Sequence, residues 1–342
     1  MSNPLVHAIT TPEAVASALV APGKSILAAD ESPSTAEARL TQVGIAYSPL
    51  MMHRFRSYAF GAEGLFELVG GVILHVDTLG MFIEDMLTGT YLLNRGVLPG
   101  FKADTGLEDF IGHPGQKKTR GLSGLEDRLE ALRSFHVRFA KARSVYTING
   151  SLTKEVLDHN ARWQATYASI CLAHGIVPIV EPEVLADGTH TIQECQAATT
   201  KVLDFVFRAL TDRGISLEHV VLKPNMVTPG LKSGKVINPD EVADATLAAL
   251  GRFPRSALNG IAFLSGGLSP DEATDCLRAI NRSAETGMTY TGSFGRASQK
   301  EALEVLSRLQ EEPYHVQRIA VQNALLNRLR RVSRATHGLS GF

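Results

Sequence analysis

A lysine at the end of a short apolar run is the residue of this chain with the clearest chemical potential. Lys223 directly follows the β-branched and apolar residues 220–222. A lysine amine attacks a ketone only when it is neutral, and its ordinary pKa of about 10.4 keeps it charged at pH 7. Burial or a neighbouring cation favours the neutral form. The position therefore indicates Schiff-base chemistry, although a lysine at the end of a strand can also simply be solvated.

Further charged side chains end other apolar runs in the same way. Residues two apart on a strand point to the same side of it, so such pairs can converge at one end of a sheet. Satisfied ion pairs in a core are the alternative interpretation, but buried ion pairs stabilise poorly and several of them together would give little structural gain. These side chains are Asp30, Lys102 with Asp104, Lys141 with Arg143, and Glu181 with Glu183.

The types of these residues suit cleavage of a β-hydroxy ketone. An iminium on Lys223 would withdraw electrons from a carbon–carbon bond two atoms away. Lys141 would disfavour the charged form of Lys223 by repulsion, and Glu181 or Glu183 could transfer protons while the carbinolamine loses water. Asp30 could take or hold the hydroxyl proton released as the bond breaks.

Two glycine-containing turns follow the last two of eight apolar runs in the sequence, residues 260–264 and 288–294. Glycines let backbone N–H groups approach an anion, and a helix N-terminus adds a favourable dipole. Both turns occupy the positions where barrel enzymes commonly bind phosphate. The residues are Ser265, Gly266 and Gly267 in one turn and Ser293, Gly295 and Arg296 in the other, and a second anionic group could be held on the opposite side by Lys102 and Arg143.

Eight short apolar runs, most of them separated by segments with helical periodicity, predict the architecture. Continuous apolar strands alternating with amphipathic helices indicate a parallel sheet, and eight such units favour an α/β fold of the (β/α)₈ TIM-barrel type, with a doubly wound sheet as the alternative. The runs are residues 25–30, 71–76, 97–103, 139–148, 176–181, 219–223, 260–264 and 288–294. We expect residues 1–342 to form a single domain, with a short helical extension at the N-terminus and a tail from about residue 332.

Composition restricts the partners and the compartment. The 342 residues carry a formal net charge of −1, so bulk attraction to nucleic acid or to an anionic membrane is not expected. The three cysteines are widely spaced, without a C-x-x-C pair, and the first residues lack the pattern of a signal peptide. We therefore expect a cytoplasmic protein. The scattered histidines predict no metal site, and no cofactor is expected.

Six segments together resemble class I (Schiff-base) fructose-bisphosphate aldolases over nearly the whole chain. The resemblance implies reversible cleavage of fructose 1,6-bisphosphate to dihydroxyacetone phosphate and glyceraldehyde 3-phosphate, in glycolysis and gluconeogenesis, without a metal and commonly in a homotetramer. The segments are residues 26–32, 70–74, 121–125, 176–183, 222–230 and 263–267.

The resemblance also implies roles for individual residues. Lys223 corresponds to the Schiff-base lysine, Glu181 to the main general acid/base, Glu183 and Lys141 to its neighbours, and Asp30 to the residue that positions the C4 hydroxyl. The two glycine turns correspond to the grip on the 1-phosphate. Lys102, Arg143, Ser32 and Arg39 correspond to the 6-phosphate end.

The chain departs from the family pattern in three places, one of which is Ala142, where the family usually has a tryptophan. Residues 33–35 read Pro-Ser-Thr where relatives usually have Thr-Gly-Ser, and the chain ends in Phe342 where many relatives have a tyrosine. Phe342 has no hydroxyl, so protonation of the enamine would use another group or water. The alternatives are a Schiff-base aldolase for another phosphorylated ketose, such as fructose 1-phosphate or a seven-carbon bisphosphate, a metal-dependent aldolase, and a non-catalytic binding scaffold on the same fold.

Overall fold

Eight parallel strands close into a barrel in the computed structural model, which describes residues 9–251, 253, 257–284, 288 and 290–337. Each strand pairs with its neighbours in sequence, and the first strand pairs with the last through Ile26 and Ser293. The (β/α)₈ prediction is confirmed, and the doubly wound alternative is wrong. The strands are β1 (Ser25–Ala29), β2 (Val69–Leu74), β3 (Leu98–Lys102), β4 (Phe139–Tyr146), β5 (Val177–Val184), β6 (Val221–Leu222), β7 (Ile261–Phe263) and β8 (Tyr290–Phe294).

Helices cover the outside of the barrel, and several begin at a residue whose side chain caps the first turn. Ser269 and Thr191 each form a capping box with the glutamate three residues later, which satisfies backbone N–H groups of the first helical turn. The helices are α1 (Pro12–Leu19), α2 (Pro33–Gln42), α3 (Pro49–Phe60), α4 (Leu65–Leu68), α5 (Val76–Leu79), α6 (Thr88–Asn94), α7 (Leu125–Ala131), α8 (Lys154–Ala173), α9 (Ile192–Asp212), α10 (Pro239–Leu250), α11 (Pro270–Ser283), α12 (Arg296–Arg308) and α13 (Tyr314–Thr336).

Apolar side chains fill the barrel toward the N-terminal ends of its strands. Helix α1 lies outside the sheet, but its Val15 and Leu19 belong to the same buried cluster as Phe139 of β4. The ring of Phe139 lies over Gly100, where a Cβ atom would come within 2.3 Å of the ring. A side chain at position 100 would therefore displace this ring. These apolar side chains close the N-terminal end of the barrel, so the barrel is open at the C-terminal ends of its strands.

The last helix extends further than the sequence suggested. Helix α13 continues to Thr336, so residues 332–336, which we assigned to a tail, are helical and include buried Val332 and Ala335. The prediction about Phe342 lies outside the described residues. Within the described part of the chain, no helix is both long enough and apolar enough to cross a membrane.

Candidate active site

A cavity of about 1130 Å³ opens at the C-terminal ends of the strands. Ligand pockets for small molecules commonly measure about 300–1000 Å³, so this space is large enough for a small-molecule ligand. Every residue that the sequence analysis selected for catalysis or phosphate binding lines it: Asp30, Ser32, Arg39, Lys102, Lys141, Arg143, Glu181, Glu183, Lys223, Ser265, Gly266, Gly267, Ser293, Gly295 and Arg296.

Two buried lysines share one carboxylate at the centre of the cavity. Lys223 Nζ lies 3.1 Å from Oε1 of Glu181, and Lys141 Nζ lies 3.4 Å from Oε2 of the same side chain. Lys141 also contacts Asp30 Oδ2 at 2.8 Å and lies 3.7 Å from Asp104 Oδ2. Lys141 is 4% exposed and Lys223 is 3% exposed. A proton can therefore pass between Lys223 and Glu181 without solvent.

The carboxylates around Lys141 fix the charge states of this cluster. Burial by itself would lower the pKa of Lys141, but Asp30, Glu181 and Asp104 raise it well above its ordinary value. Burial would likewise raise the pKa of Asp30, but the ammonium groups of Lys141 and Lys223 hold it well below its ordinary value. Asp30 and Lys141 are consequently an ion pair throughout the neutral pH range.

The backbone after β6 determines where Lys223 points. Its N–H donates to Val180 O at 2.8 Å, which continues the pairing with β5 past the end of the strand. Two residues later, the buried Asn225 accepts a hydrogen bond from the N–H of Val184 at 2.9 Å and donates to Thr199. Because both ends of this segment are bound to β5 and its helix, Lys223 is held opposite Glu181.

A second group of charges lies where β3 and β4 end. Lys102 Nζ donates to Asp104 Oδ1 at 2.5 Å and to the backbone oxygen of the same residue at 2.7 Å. The other oxygen of Asp104 accepts from the N–H of Arg143 at 3.3 Å, and Arg143 pairs with Glu183. The positive charge on this side is therefore partly neutralised, and Asp104 connects both strands.

The turn after β7 lines the cavity with Ser265 and two glycines. Gly266 and Gly267 have φ angles of +53° and +89°, which residues with a Cβ rarely adopt. A side chain at position 267 would also come within 2.6 Å of Leu231. On β8, the hydroxyl of Ser293 is buried and has no hydrogen-bond partner among the described residues. These groups are suited to the oxygens of a phosphate.

The two helices behind these turns begin differently. The capping box of Ser269 and Glu272 occupies the N-terminus of α11, so that helix offers little to a ligand. Helix α12 begins directly after Gly295, which has no side chain to cap it. Its Arg296 reaches back across the mouth and donates to Gly267 O at 2.9 Å. We expected both helix ends to assist an anion, and only α12 has the open N-terminus that this requires.

Ser32 precedes helix α2 as its N-cap, and Arg39 lies in the last turn of that helix, which follows β1. Ser32 caps the helix and lies within 3.1 Å of the hydroxyl of Ser34, and Pro33 takes the first helical position, where proline is well tolerated. Arg39 pairs with buried Glu31, and its guanidinium lies 3.6 Å from the place of a Cβ on Gly295. Arg39 therefore lies beside the turn of β8.

Three site residues escaped the sequence assignment. Asp104 stood out only as the strand partner of Lys102. Glu31 follows Asp30 directly but points to Arg39, and Gln299 of α12 donates to Glu31 at 2.8 Å and to Ala28 O. No local pattern connects residues 268 positions apart, so only the closure of the barrel brings them together. Among the described residues, no three His, Cys, Asp or Glu side chains form a group that could hold a metal ion.

Known proteins resemble this chain in both sequence and structure. The family model of class I fructose-bisphosphate aldolases matches residues 13–340. A cytosolic fructose-bisphosphate aldolase 5 of Arabidopsis thaliana is 42% identical over 288 residues, which are 83% of this chain and 80% of that protein. Fructose-bisphosphate aldolase C of Rattus norvegicus is 41% identical over 293 residues, which are 84% of this chain and 81% of that protein.

A solved structure extends the resemblance to the fold. The fructose-bisphosphate aldolase of Plasmodium falciparum, determined in complex with TRAP and a small-molecule inhibitor, superposes with a TM-score of 0.91. It is 37% identical, and the match covers 96% of this chain and 95% of that one. The agreement therefore includes the whole barrel.

Proposed function

Because this chain belongs to the class I fructose-bisphosphate aldolase family, we propose that it cleaves its substrate through a Schiff base on Lys223. The protein is an aldehyde-lyase that reversibly cleaves fructose 1,6-bisphosphate to dihydroxyacetone phosphate and glyceraldehyde 3-phosphate, a reaction of glycolysis and gluconeogenesis. The observation that carries the mechanism is the 3.1 Å contact between buried Lys223 and Glu181. Neither another phosphorylated ketose as the main substrate, nor a non-catalytic scaffold, is favoured by the family membership.

Glu181 is proposed to move the protons of Schiff-base formation. It takes a proton from the ammonium of Lys223, and the neutral amine then adds to the C2 ketone of the open-chain sugar. Glu181 returns the proton to the carbinolamine hydroxyl, which leaves as water. The contact of Glu181 with Lys141 keeps the carboxylate oriented between the two lysines.

Asp30 is proposed to bind the C4 hydroxyl. Its lowered pKa makes it a weak base while it pairs with Lys141, so before the reaction it only orients the hydroxyl. It accepts the proton as the C3–C4 bond breaks, because the hydroxyl becomes strongly acidic while the C4 carbonyl forms. The C3–C4 electron pair moves into the iminium and forms an enamine, and glyceraldehyde 3-phosphate is released. Asp30 releases its proton to water, and an equivalent proton from water is added to C3 of the enamine. Hydrolysis of the resulting iminium then releases dihydroxyacetone phosphate and regenerates Lys223.

The two phosphates are proposed to bind at opposite sides of the mouth. The 1-phosphate fits the turns of β7 and β8, because they offer backbone N–H groups, an unpaired serine hydroxyl and Arg296. The 6-phosphate fits the ends of β3 and β4, where Lys102 and Arg143 face the cavity, with Ser32 of α2 nearby on the lining. Arg39 is assigned to the 1-phosphate side, since it lies next to Gly295.

Borohydride reduction in the presence of dihydroxyacetone phosphate tests the mechanism. We expect a stable adduct on the peptide that contains Lys223, located by mass spectrometry. An adduct on Lys102 or Lys141 instead, or no adduct under conditions where the ligand is bound, would contradict the assignment. Cleavage of fructose 1,6-bisphosphate that persists in excess chelator would argue separately against a metal-dependent reaction.

We further propose that the protein is a cytoplasmic homo-oligomer, a tetramer by resemblance to its family. The compartment is supported by the Arabidopsis relatives, which are named cytosolic. Size-exclusion chromatography with light scattering should give four times the chain mass of 36.9 kDa. A mass equal to that of one chain at micromolar concentration would exclude the tetramer.

A further inference from the structure

One arginine is completely buried far from the catalytic lysines. Arg328 of α13 has a side chain that is 0% exposed, and it is the largest of the fully buried side chains among the described residues. Burying a guanidinium costs several kcal/mol unless its N–H groups are hydrogen-bonded. Arg328 meets this condition, so its partners indicate what it holds.

The partners of Arg328 are the beginnings of two helices. Its Nε donates to Ala297 O of α12 at 3.1 Å. Its other nitrogens donate to Asp271 Oδ1 of α11 at 2.8 Å, to Pro270 O and to the hydroxyl of Thr274. One rigid planar group thus binds the first turns of α11 and α12 together.

Both first turns directly follow the proposed 1-phosphate turns. Pro270 lies three residues after Gly267, and Ala297 is the residue after Arg296. In front of the site, Arg296 joins the two turns by donating to Gly267 O. Arg328 joins them from behind and is not part of the cavity lining. The distance between the two turns is therefore fixed from both sides. Arg296 fixes it from the cavity, where it can contact the ligand, and Arg328 fixes it from behind, where it cannot.

We propose that Arg328 is a positioning residue for the 1-phosphate, which rests on the proposed role of the turns of β7 and β8. A phosphate needs several donors at about 2.7–2.9 Å at the same time, so loss of the rear connection weakens all of these bonds together. The chemistry at Lys223 uses Glu181, Lys141 and Asp30, and none of the contacts among these residues involves Arg328. Arg328 therefore controls affinity for the phosphate and leaves the bond-breaking step unchanged.

The test compares Arg328→Met with Arg330→Met, an exposed arginine two residues further along the same helix. We measure kcat and KM for fructose 1,6-bisphosphate and the competitive inhibition constant of inorganic phosphate. Arg328→Met should raise KM and the inhibition constant about tenfold each and change kcat less than about threefold. Arg330→Met should match the wild type. A fall in kcat with both constants unchanged would overturn the proposal.

Two further variants keep the test decisive if Arg328→Met does not fold, as judged by circular dichroism. Arg328→Lys keeps the charge but loses the planar guanidinium group. Thr274→Val removes one hydrogen-bond acceptor of Arg328 and keeps a side chain of nearly the same shape. Both should raise the inhibition constant of phosphate about two- to fivefold. Wild-type constants in both variants would refute the positioning role.

Arg296→Met separates this inference from the proposed function. If Arg296→Met raises the inhibition constant of phosphate and Arg328→Met does not, only the positioning role of Arg328 fails. If Arg296→Met also leaves it unchanged, the assignment of the phosphate site itself fails. Borohydride trapping with dihydroxyacetone, which carries no phosphate, should proceed equally in the wild type and in Arg328→Met.

Discussion

The lysine centre and the phosphate turns bind charge by opposite means. In the lysine centre (Asp30, Lys141, Glu181 and Lys223), three buried side chains and the partly buried Asp30 lie at strand ends, and their opposite charges neutralise one another. In the phosphate turns (residues 265–267 and 293–296), glycines, a helix N-terminus and one exposed arginine line the cavity. The lysine centre contains its own counter-charges, whereas in the phosphate turns the negative charge is supplied by the bound ligand.

This difference follows from what each region must do. A proton-transfer centre needs donors and acceptors held at fixed short distances, and a rigid sheet surrounded by apolar core supplies this geometry. A phosphate site must bind and release an anion, so donors without a resident partner are preferable to a permanent ion pair. Substitutions in the lysine centre should therefore act on kcat, whereas those in the phosphate turns should act on KM.

Lys223→Met should have the largest effect. The variant cannot form an iminium, so we expect cleavage of fructose 1,6-bisphosphate to fall at least about 10⁴-fold. The buried apolar side chain should leave the fold intact, which circular dichroism would verify. Substantial turnover by a folded Lys223→Met protein would eliminate the mechanism.

Glu181→Gln should lower kcat about 10²- to 10³-fold with little change in KM, because loss of a positioned general acid/base typically has this effect. Glu183→Gln is the matched control on the same face of β5. It contacts Arg143 and not Lys223, so its effect on kcat should be below tenfold. Equal losses in both variants would remove the distinction between the two carboxylates.

Asp30→Asn should reduce the free energy of unfolding by about 3 kcal/mol at pH 7, because it breaks a buried ion pair. The pKa of Asp30 is lower in the folded protein than in the unfolded chain. Its contribution is therefore fully present above the unfolded value of about 3.9 and is lost as the pH falls below it. Urea unfolding should show a constant difference in the free energy of unfolding between wild type and variant from about pH 5 to about pH 8. This difference should shrink below about pH 4. A difference that shrinks on approaching pH 6 would contradict the pairing with Lys141.

Arg296→Met should raise KM for fructose 1,6-bisphosphate about 30-fold and change kcat little, since it removes charge-assisted bonds to a phosphate. Steady-state kinetics would measure both parameters. Lys300→Met, one turn further along α12 and half-exposed, is the control and should behave as the wild type. A fall in kcat alone would place Arg296 with the lysine centre.

Lys102→Met should have the smallest and most selective effect. We expect kcat/KM to fall about tenfold for fructose 1,6-bisphosphate and hardly at all for fructose 1-phosphate, which lacks the distal phosphate. The effect is limited because Asp104 already neutralises part of the charge of Lys102. Equal losses on both substrates would show that Lys102 does not bind the 6-phosphate.

Helix and strand patterns were predictable because their signals are local. The eight apolar runs correspond to the eight barrel strands, with ends shifted by a few residues. Ser269 and Thr191 were recognisable as caps because the partner glutamate lies three residues away. The neighbour of Arg39 was not predictable for the opposite reason, since Gly295 is distant in sequence and adjacent only because β1 pairs with β8.

The sequence by itself determined the succession of strands along the chain, the side of each strand that carries charge and the family to which the chemistry belongs. These features were accessible because the period of two and the motifs are properties of short segments. Only the tertiary structure decided which charges meet. The sharing of Glu181 by Lys141 and Lys223, the open N-terminus of α12 and the burial of Arg328 between two helices depend on the closed barrel. Contacts between distant residues follow from the geometry of closure, which no local pattern records.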